Sequence, residues 1–383
     1  MNDTDRERTA AYFGEITAAV GSGRRPHALV ISHVVAGRSL FIAGVARLAT
    51  VAAVLPKPKS ADEMSLREIS GVYPCDQLER CTFADPHQAI DYVERRAAGQ
   101  PLVLLDVGGY FAPALKDICV KFSGQILGVI EDTENGLRRY LDLRELPCPV
   151  YSVARSPLKE PEDYLIGQSV VFSVEALLRS RGEILHGRRA SVIGFGKVGA
   201  SVAGMLTARH AEVRVFDSDP VRMVQALARG FRTASTHSDA LAHADVVIAA
   251  TGNLALRSTD FALLSDGAYI ASVTSSDDEL ELTALDGQYD RQQAGPHLTK
   301  YADHRHCFYM LNDGNAVNFL HGASVGPFIY LVQAEILAAL GYLAAGPHDP
   351  GLHEVPDDTR RLIAQTWMRY FNRAHAGDRI PDS

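Results

Sequence analysis

The chain has 383 residues, of which 46% are hydrophobic and 22% are charged, with a net charge of −8 and a sequence pI near 6.0. This composition is typical of a soluble globular protein, and the length favours two domains. The acidic balance argues against nucleic acid as the main partner, because binding to phosphates needs a basic face.

Cysteine usage and apolar segments bear on the cellular location. The five cysteines show no C-x-x-C spacing, which favours reduced thiols and a cytoplasmic protein. The first residues are acidic and lack an apolar core, so we expect no signal peptide. The apolar run 40–55 is shorter than a membrane span and contains Arg47, which predicts a buried helix running into a strand and no membrane partner.

The first part of the chain alternates helical and strand patterns. We predict an amphipathic helix at 1–22, a strand at 27–35, a helix at 37–49, strands at 101–109 and 147–154, and a strand with an acidic turn at 125–136. Strands that alternate with helices indicate a parallel sheet with ligands at the carboxyl ends of the strands. His33, Asp132 and Lys159 all fall at or just past such ends.

A helix near 165–182 is predicted to lead into a second series of strands and helices that continues to about residue 326. The stretch "GPFIYLVQAEILAALGYL" then predicts a long apolar helix that packs back on the first part. Because so apolar a helix needs a partner surface, we also expect a homo-oligomer, either a dimer or a tetramer.

The second series opens on a G-x-G-x-x-G motif, formed by Gly194, Gly196 and Gly199. The motif follows a strand pattern, opens a helix, and is followed 18 residues after Gly199 by Asp217 at the end of "AEVRVFD". This context is typical of a dinucleotide-binding Rossmann unit, in which the helix amides bind pyrophosphate and the acid binds a ribose. Asp217 would accept from a 2′-hydroxyl and repel a 2′-phosphate, which favours NAD over NADP. The alternative is a Rossmann domain that binds no nucleotide.

The sequence thus predicts an α/β protein in which a Rossmann NAD-binding domain is inserted into an α/β substrate-binding domain. We place the substrate domain at 1–166, the NAD domain at 167–326, and C-terminal helices returning to the substrate domain at 327–383. Two further strands of the NAD domain are expected within 244–253 and 267–276, each ending in small residues.

Several motifs together resemble the S-adenosylhomocysteine hydrolase family over roughly residues 25–370. The resembling stretches are "LLDVGG", "GVIEDTENGLRRY", "PVYSVARSPLKEPEDY", "VIGFGKVG", "FDSDP", "ATGN", "DDELE", "NDGNAVNF" and "VPDDTRRLIA". No single stretch is decisive, but their order and spacing together are specific.

The resemblance implies a bound NAD that oxidises the 3′-hydroxyl of a nucleoside. The ketone acidifies the proton on C4′, whose loss expels the substituent on C5′, and the reduced cofactor later restores the alcohol. By the same resemblance, Lys159 deprotonates the 3′-hydroxyl, Asp163 is its acidic companion, and Asp132 holds the ribose hydroxyls in place of a glutamate. His33 matches a histidine that transfers protons near C5′, and His321 is expected to contact the substrate.

The resemblance also assigns a set of cofactor-binding positions. Thr133 matches a threonine that contacts NAD, and Asn318 matches an asparagine near the nicotinamide. The remaining expected cofactor contacts are Glu134, Asn135, Gly194, Gly196, Lys197, Val198, Gly199, Asp217, Arg222, Thr251, Gly252, Asn253, Val273, Thr274 and Ser275.

The departures from the family pattern are concentrated in groups that handle the leaving thiol, the water and the base. Val107 replaces an aspartate, Ser275 a histidine and Gln168 a cysteine, while Val35 and Gly37 replace a threonine and a glutamate of the substrate pocket. The family Gly-His-Pro becomes Gly326-Pro327, with His321 nearby but out of register. The chain stops at "RIPDS" without the family's Lys- and Tyr-bearing tail, so we expect NAD to exchange more readily than is usual.

Three functions follow from this pattern. The first is a nucleoside dehydratase that keeps the oxidation step, eliminates water and reduces the ketone again; it suggests nucleoside-antibiotic biosynthesis, with a ketohexose nucleoside of the angustmycin type as one candidate substrate. The second is a working adenosylhomocysteinase. The third is a non-catalytic NAD-binding regulator, against which the presence of Lys159, Asp163 and Asp132 argues.

Each singled-out residue also has a plainer interpretation. Lys159 is then a charge on a solvated loop, His33 a core histidine, and Glu131, Asp132 and Glu134 a solvated turn. The "DHRHC" cluster has a zinc-like composition, but no second ligand pair lies at a useful spacing, so we expect a hairpin tip and no metal. Asp277, Asp278 and Glu279 are interpreted as a helix N-terminus.

Overall fold

The computed structural model describes residues 2–21, 23–274, 279–321 and 325–372, except for the side chain of residue 59. The chain divides into two compact units. Unit 1 comprises the residues up to 159 together with those from 327 onward, and unit 2 comprises residues 160–326. Unit 2 is therefore one continuous segment, which lies in the sequence between the two segments that form unit 1.

The strands are β1 (His27–Val34), β2 (Thr50–Ala61), β3 (Pro101–Asp106), β4 (Gln125–Glu131), β5 (Pro149–Ser152), β6 (Arg189–Ile193), β7 (Glu212–Phe216), β8 (Arg232–Thr233), β9 (Val246–Ala249), β10 (Ala268–Ser272), β11 (Asp290–Gly295), β12 (Leu298–Ala302), β13 (Cys307–Leu311) and β14 (Gly351–His353). The helices are α1 (Asp3–Val20), α2 (Arg38–Leu48), α3 (Glu63–Ser70), α4 (Arg80–Ala84), α5 (Pro86–Ala97), α6 (Leu115–Lys121), α7 (Glu134–Leu141), α8 (Glu160–Ser180), α9 (Lys197–Ala208), α10 (Pro220–Ala228), α11 (His237–Leu241), α12 (Ile329–Ala345) and α13 (Asp357–Phe371).

The sheet of unit 1 has the strand order β14-β5-β4-β3-β1-β2, and every neighbouring pair is parallel. Its strands are buried on both faces, as expected for a parallel sheet. Val30 belongs to the core formed with α1, α2, α12 and α13, while its neighbour Leu29 belongs to the core formed with α5 and α6. Because all strands run the same way, their carboxyl ends meet at one edge of the sheet.

Helix α12 forms the centre of one of these layers. By length and composition it could cross a membrane, but 72% of the segment concerned is buried inside the structure. Within unit 1 it contacts α1, α2 and α13. These neighbours cover the apolar surface of α12. The homo-oligomer was predicted because that surface needs a partner, so the apolar helix no longer supports the prediction. The homo-oligomer itself stays a prediction.

The sheet of unit 2 has the order β11-β12-β13-β10-β9-β6-β7-β8. The six strands from β13 to β8 are parallel, and in chain order they give the 3-2-1-4-5-6 arrangement of a Rossmann fold. Strand β12 is antiparallel to both of its neighbours, β11 and β13. Residues 303–306 form the tip of the second hairpin, where the "DHRHC" stretch was expected to turn. The predicted α/β class and the Rossmann unit are confirmed.

Two predicted boundaries near the site differ from the structure. The helix expected from residue 165 begins at Glu160, so that Asp163 lies in its first turn, where acidic side chains are favoured by the helix dipole. The acidic turn expected after residue 131 is instead the start of α7, with Thr133 as the N-cap that accepts from the Gly136 amide.

Candidate functional site

The edge of the unit 1 sheet brings Lys159 and Asp132 together. Lys159 ends a short 3-10 turn, Pro157–Lys159, and Asp132 directly follows β4. The Lys159 ammonium donates to Asp132 Oδ1 at 2.9 Å, and the two side chains are 10% and 15% exposed. The plainer interpretation of both residues, as charges on a solvated loop or turn, is therefore wrong.

His33 lies near the end of β1 at the same edge. Its Nδ1 is in hydrogen-bond contact with the hydroxyl of Ser60 on β2. Burial, followed by the charges of Lys57, Arg38 and Lys159, holds the pKa of His33 well below its ordinary value. At neutral pH the ring is therefore uncharged.

A second pair of acidic side chains, Asp106 and Glu131, lies beneath these residues on adjacent strands. Both are buried, with 1% and 0% of their surface exposed, and they are directly paired in the β3–β4 register. Burial raises the pKa of both, and repulsion from Asp106 contributes to a Glu131 pKa of about 8. With a pKa of about 8, Glu131 is mostly protonated at neutral pH.

Glu131 organises the two turns that follow β3 and β4. It accepts from the amides of Gly108 at 3.1 Å, Gly109 at 2.9 Å and Thr133 at 2.7 Å, and from the Thr133 hydroxyl at 2.7 Å. Asp106 accepts from the Phe111 amide at 3.0 Å and from the Tyr140 hydroxyl at 2.6 Å. These bonds fix the backbone on both sides of Asp132.

The sequence analysis missed several of these groups. Glu131 was interpreted as part of a solvated turn, which is wrong because its side chain is fully buried. Lys57 and Arg38 are also buried, at 6% and 9% exposure, and act on His33 through their charges. The signal that could have found Glu131 is its position as an acidic residue at the very end of a buried strand.

The nucleotide turn of unit 2 joins β6 to α9. Gly194 has φ +99°, and a side chain there would meet the Ala250 carbonyl oxygen at 2.5 Å. A side chain at Gly199 would meet the Gly194 carbonyl oxygen at 2.0 Å. Only glycine fits at either position, which gives the close-packed turn that a pyrophosphate requires.

Asp217 follows β7 beside this turn. Its carboxylate accepts from the Phe195 amide at 2.6 Å and from the Asp219 amide at 2.9 Å. Arg222, on α10, lies 3.7 Å from Asp217 and 3.8 Å from Asp219. Asp217 and Arg222 are thus brought together at the ribose end of the predicted site, next to Gly196.

The turn after β9 carries Thr251, Gly252 and Asn253. Glu279 accepts from the Thr251 amide at 2.8 Å and also from the Thr274 hydroxyl. The expectation that Glu279 belongs to a helix N-terminus is wrong, because its side chain is 1% exposed and holds these two turns together. Asp277 and Asp278 lie outside the described residues, as does Ser275.

Asn318 and His321 lie close together in sequence in unit 2. The amide oxygen of Asn318 is buried without a hydrogen-bond partner among the described residues, as expected of a group that binds a ligand. His321 is in hydrogen-bond contact with Ser173 at 2.9 Å and packs edge-on against Phe172. In the same unit, Asp163 is 8% exposed and lies 3.7 Å from Lys197, the first residue of α9.

The remaining predicted positions are spread over both units. Glu134 pairs with Arg155 at 2.8 Å and Arg138 at 3.3 Å, and Asn135 follows it in the first turn of α7. Val198 lies in α9 after Lys197, and Val273 follows β10 and is buried.

Three of the positions that depart from the family pattern are also placed by the structure. Val107 is 7% exposed and belongs to the core, Gln168 is exposed on α8, and Gly37 caps α2 with φ +83°.

No group of three histidine, cysteine or acidic side chains is placed to hold a metal ion within the described part of the chain. The unit 2 residues fit a dinucleotide on three counts: the glycine turn, the carboxylate after β7, and the unpartnered oxygen of Asn318. NAD brought to this turn would have its pyrophosphate against the first amides of α9 and would supply hydride transfer chemistry.

Residues 164–324 match the family model described as S-adenosyl-L-homocysteine hydrolase, NAD binding domain. The adenosylhomocysteinase of Thermotoga maritima is 32% identical over 252 residues, which cover 62% of this chain and 61% of that protein. The S-inosyl-L-homocysteine hydrolase of Methanopyrus kandleri is 25% identical over 290 residues, covering 71% of this chain and 66% of that protein. The chain thus spans between six tenths and two thirds of the length of these relatives.

Among solved structures, a phosphoglycerate oxidoreductase from Vibrio cholerae covers 65% of this chain and 75% of its own, at 11% identity and a TM-score of 0.39, which is too low to establish a shared fold. The match over unit 2 identifies NAD as the cofactor of this domain. With the Rossmann strand order and the glycine turn on which that match falls, unit 2 is similar to the NAD-binding domain of the S-adenosylhomocysteine hydrolase family.

Proposed function

We propose that the protein is an NAD-dependent nucleoside dehydratase. It would oxidise a sugar hydroxyl, eliminate water from the neighbouring 5′-type carbon, and reduce the ketone again. The observation that carries the proposal is the buried Lys159–Asp132 pair beside an uncharged His33 at the edge of the unit 1 sheet. A protein that only binds NAD has no use for this arrangement.

Lys159 and Asp132 are suited to handle a hydroxyl group. An amine that acts as a base must be uncharged when it accepts the proton, and the carboxylate 2.9 Å away can hold the resulting ammonium in position. The bound NAD supplies the acceptor for the hydride that leaves the same carbon. Asp132 also offers oxygen atoms that can accept from sugar hydroxyls and so orient the ring.

His33 is suited to the elimination step. Loss of water moves one proton from C4′ to the leaving hydroxyl while the C4′–H electron pair forms the new double bond and the C5′–O bond breaks. An uncharged imidazole can accept that proton and then deliver it to the leaving oxygen, so the step needs no separate acid. Ser60 would keep the ring oriented through Nδ1.

The replacements at two positions favour dehydration over thioether hydrolysis. Val107 fills a buried position with an apolar side chain directly before the Gly108-Gly109 turn, so no carboxylate is available there. Ser275, a histidine in the family pattern, lacks a ring that could handle a second proton. Elimination of water needs fewer proton transfers than hydrolysis, in which water must also add.

Adenosylhomocysteine hydrolysis is the second candidate. It is favoured by the relative from Thermotoga maritima, which bears the name adenosylhomocysteinase. The Methanopyrus kandleri relative is named for S-inosyl-L-homocysteine, which suggests that a hydrolase site of this kind would accept more than one nucleoside base. Incubation with either thioether separates the candidates, because only the hydrolase would release a free thiol.

The Lys159→Met variant tests the role of the lysine. We expect it to bind NAD as the wild type does but to lose at least about 99% of substrate-dependent cofactor reduction, since removing a general base typically costs about a hundredfold or more. The measurement is the absorbance of the reduced nicotinamide after mixing with nucleosides.

Lys121→Met is the matched control, because Lys121 is half exposed on α6 and pairs only with the local Asp117 in a solvated position. It should reduce the cofactor at the wild-type rate. Unchanged cofactor reduction in the Lys159→Met protein would remove the lysine from the mechanism.

A further inference from the structure

We propose that Glu279 is a positioning residue for the nicotinamide half of NAD, because it holds the turns after β9 and β10 in one arrangement. The carboxylate would act through these two turns without touching the cofactor. The inference concerns cofactor binding by unit 2 and does not depend on the reaction proposed above.

The strand order divides the dinucleotide site into two halves. Strands β6, β7 and β8 carry the glycine turn and Asp217, so they form the half that suits the pyrophosphate and the adenosine ribose. Strands β9, β10 and β13 continue the sheet on the other side of β6. A dinucleotide that spans both halves leaves its nicotinamide end to the carboxyl ends of these three strands.

The Glu279 side chain joins the turns that follow β9 and β10. Its Oε1 accepts from the Thr251 amide at 2.8 Å and from the Thr251 hydroxyl at 3.0 Å, and its Oε2 accepts from the Thr274 hydroxyl. Its backbone carbonyl accepts from the Ala255 amide at 2.8 Å. The turn after β9 is thus tied to Glu279 on both of its sides, and the turn after β10 is tied to the same carboxylate.

Glu279 lies behind the turns and not on their open side. It is 1% exposed, whereas Thr251 and Thr274 are half-buried and Asn253 is exposed. Burial raises the pKa of Glu279, and the hydrogen bonds from Thr274 and Thr251 oppose that shift. Burying an acid is unfavourable unless its hydrogen bonds are satisfied, and the bonds of this acid go to the two turns whose open side suits a ligand.

Separate titrations with NAD and ADP provide the test, because ADP fills only the adenosine and pyrophosphate half. Full-length protein freed of bound nucleotide is titrated with each ligand in a calorimeter. In Glu279→Ala we expect the dissociation constant for NAD to rise by about 10- to 100-fold, the equivalent of about one hydrogen bond to a charged group, while that for ADP changes by less than about threefold. Glu279→Gln keeps an oxygen for the Thr251 amide and should lose less affinity for NAD than Glu279→Ala.

Glu281→Ala is the matched control, because Glu281 also accepts a backbone amide, that of Ser258 at 2.8 Å, but this bond lies outside both turns. It should leave both dissociation constants unchanged. If Glu279→Ala unfolds on thermal denaturation, Glu279→Gln serves in its place, and a smaller but still NAD-selective loss is expected. An equal loss of affinity for NAD and ADP, or an unchanged affinity for NAD, would overturn the inference.

Discussion

At single residues, charge and burial decide what the unit 1 site can do. His33 is uncharged because burial and neighbouring cations act in the same direction on its pKa. Asp132 and Lys159 were identified from sequence motifs, and the structure shows that they are in contact. Glu131 was missed because two of its partners, the Gly108 and Gly109 amides, lie more than twenty residues away in the chain, and its bonds from Thr133 alone would also suit an acid in a solvated turn.

The carboxyl pair Asp106–Glu131 makes the first stability prediction. In the folded state Glu131 keeps its proton up to a pKa of about 8, whereas an unfolded glutamate releases it near its ordinary value of 4.5. Between these values the folded state binds more protons, so stability should fall as pH rises from about 5 to about 8. Asp106→Asn removes the repulsion that adds to burial in raising this pKa, and should reduce the decline by about 1 kcal/mol.

Thermal denaturation across pH 5 to 9 measures the effect, with Asp91→Asn as the control because Asp91 is exposed on α5. The control should keep the wild-type pH dependence. A decline of equal size in Asp106→Asn would show that Asp106 does not raise the pKa of Glu131.

At the level of elements, helices α12 and α13 are joined by a buried ion pair. Glu335 on α12 is fully buried, and Arg360 on α13 donates to it at 2.7 Å with 11% of its side chain exposed. Burial raises the pKa of Glu335, so the arginine stabilises a carboxylate that would otherwise favour its neutral form. The pair anchors α13 against the most buried helix of unit 1.

Arg360→Met should therefore destabilise unit 1 by about 3–5 kcal/mol at pH 7, because it leaves a buried carboxylate without its cation. The loss should be smaller at pH 5, where Glu335 can take up a proton. Calorimetric melting is the measurement, and Arg361→Met is the control, since Arg361 is 74% exposed beside Asp358. Equal effects of the two substitutions would contradict a structural role for the buried pair.

Periodicity and turn residues predicted most elements that position the site. Strands β3, β4, β6 and β7 are short runs that end in an acidic residue or are directly followed by an acidic residue or glycine. The start of α8 was placed five residues too late, since Pro161 and three acids between 160 and 163 look like a loop although they suit the first turn of a helix. The burial of Glu279 could not be predicted, because its partners Thr251 and Thr274 end two different strands.

For the whole molecule, the similarity to the S-adenosylhomocysteine hydrolase family model lies in unit 2, whereas the proposed chemistry rests on residues of unit 1. Of the two departures that favour dehydration over thioether hydrolysis, Val107 belongs to unit 1 and Ser275 to unit 2. Cytoplasmic location and a homo-oligomer remain predictions from the sequence.

The central claim is that bound NAD transiently oxidises a nucleoside sugar so that the adjacent carbon can lose its proton. The most direct test is to mix the NAD-loaded protein with a panel of nucleosides and follow the absorbance of the reduced nicotinamide, with mass spectrometry of the products. The account predicts transient absorbance with at least one nucleoside and a product lighter by one water. Absence of reduced nicotinamide with every nucleoside tested would contradict it.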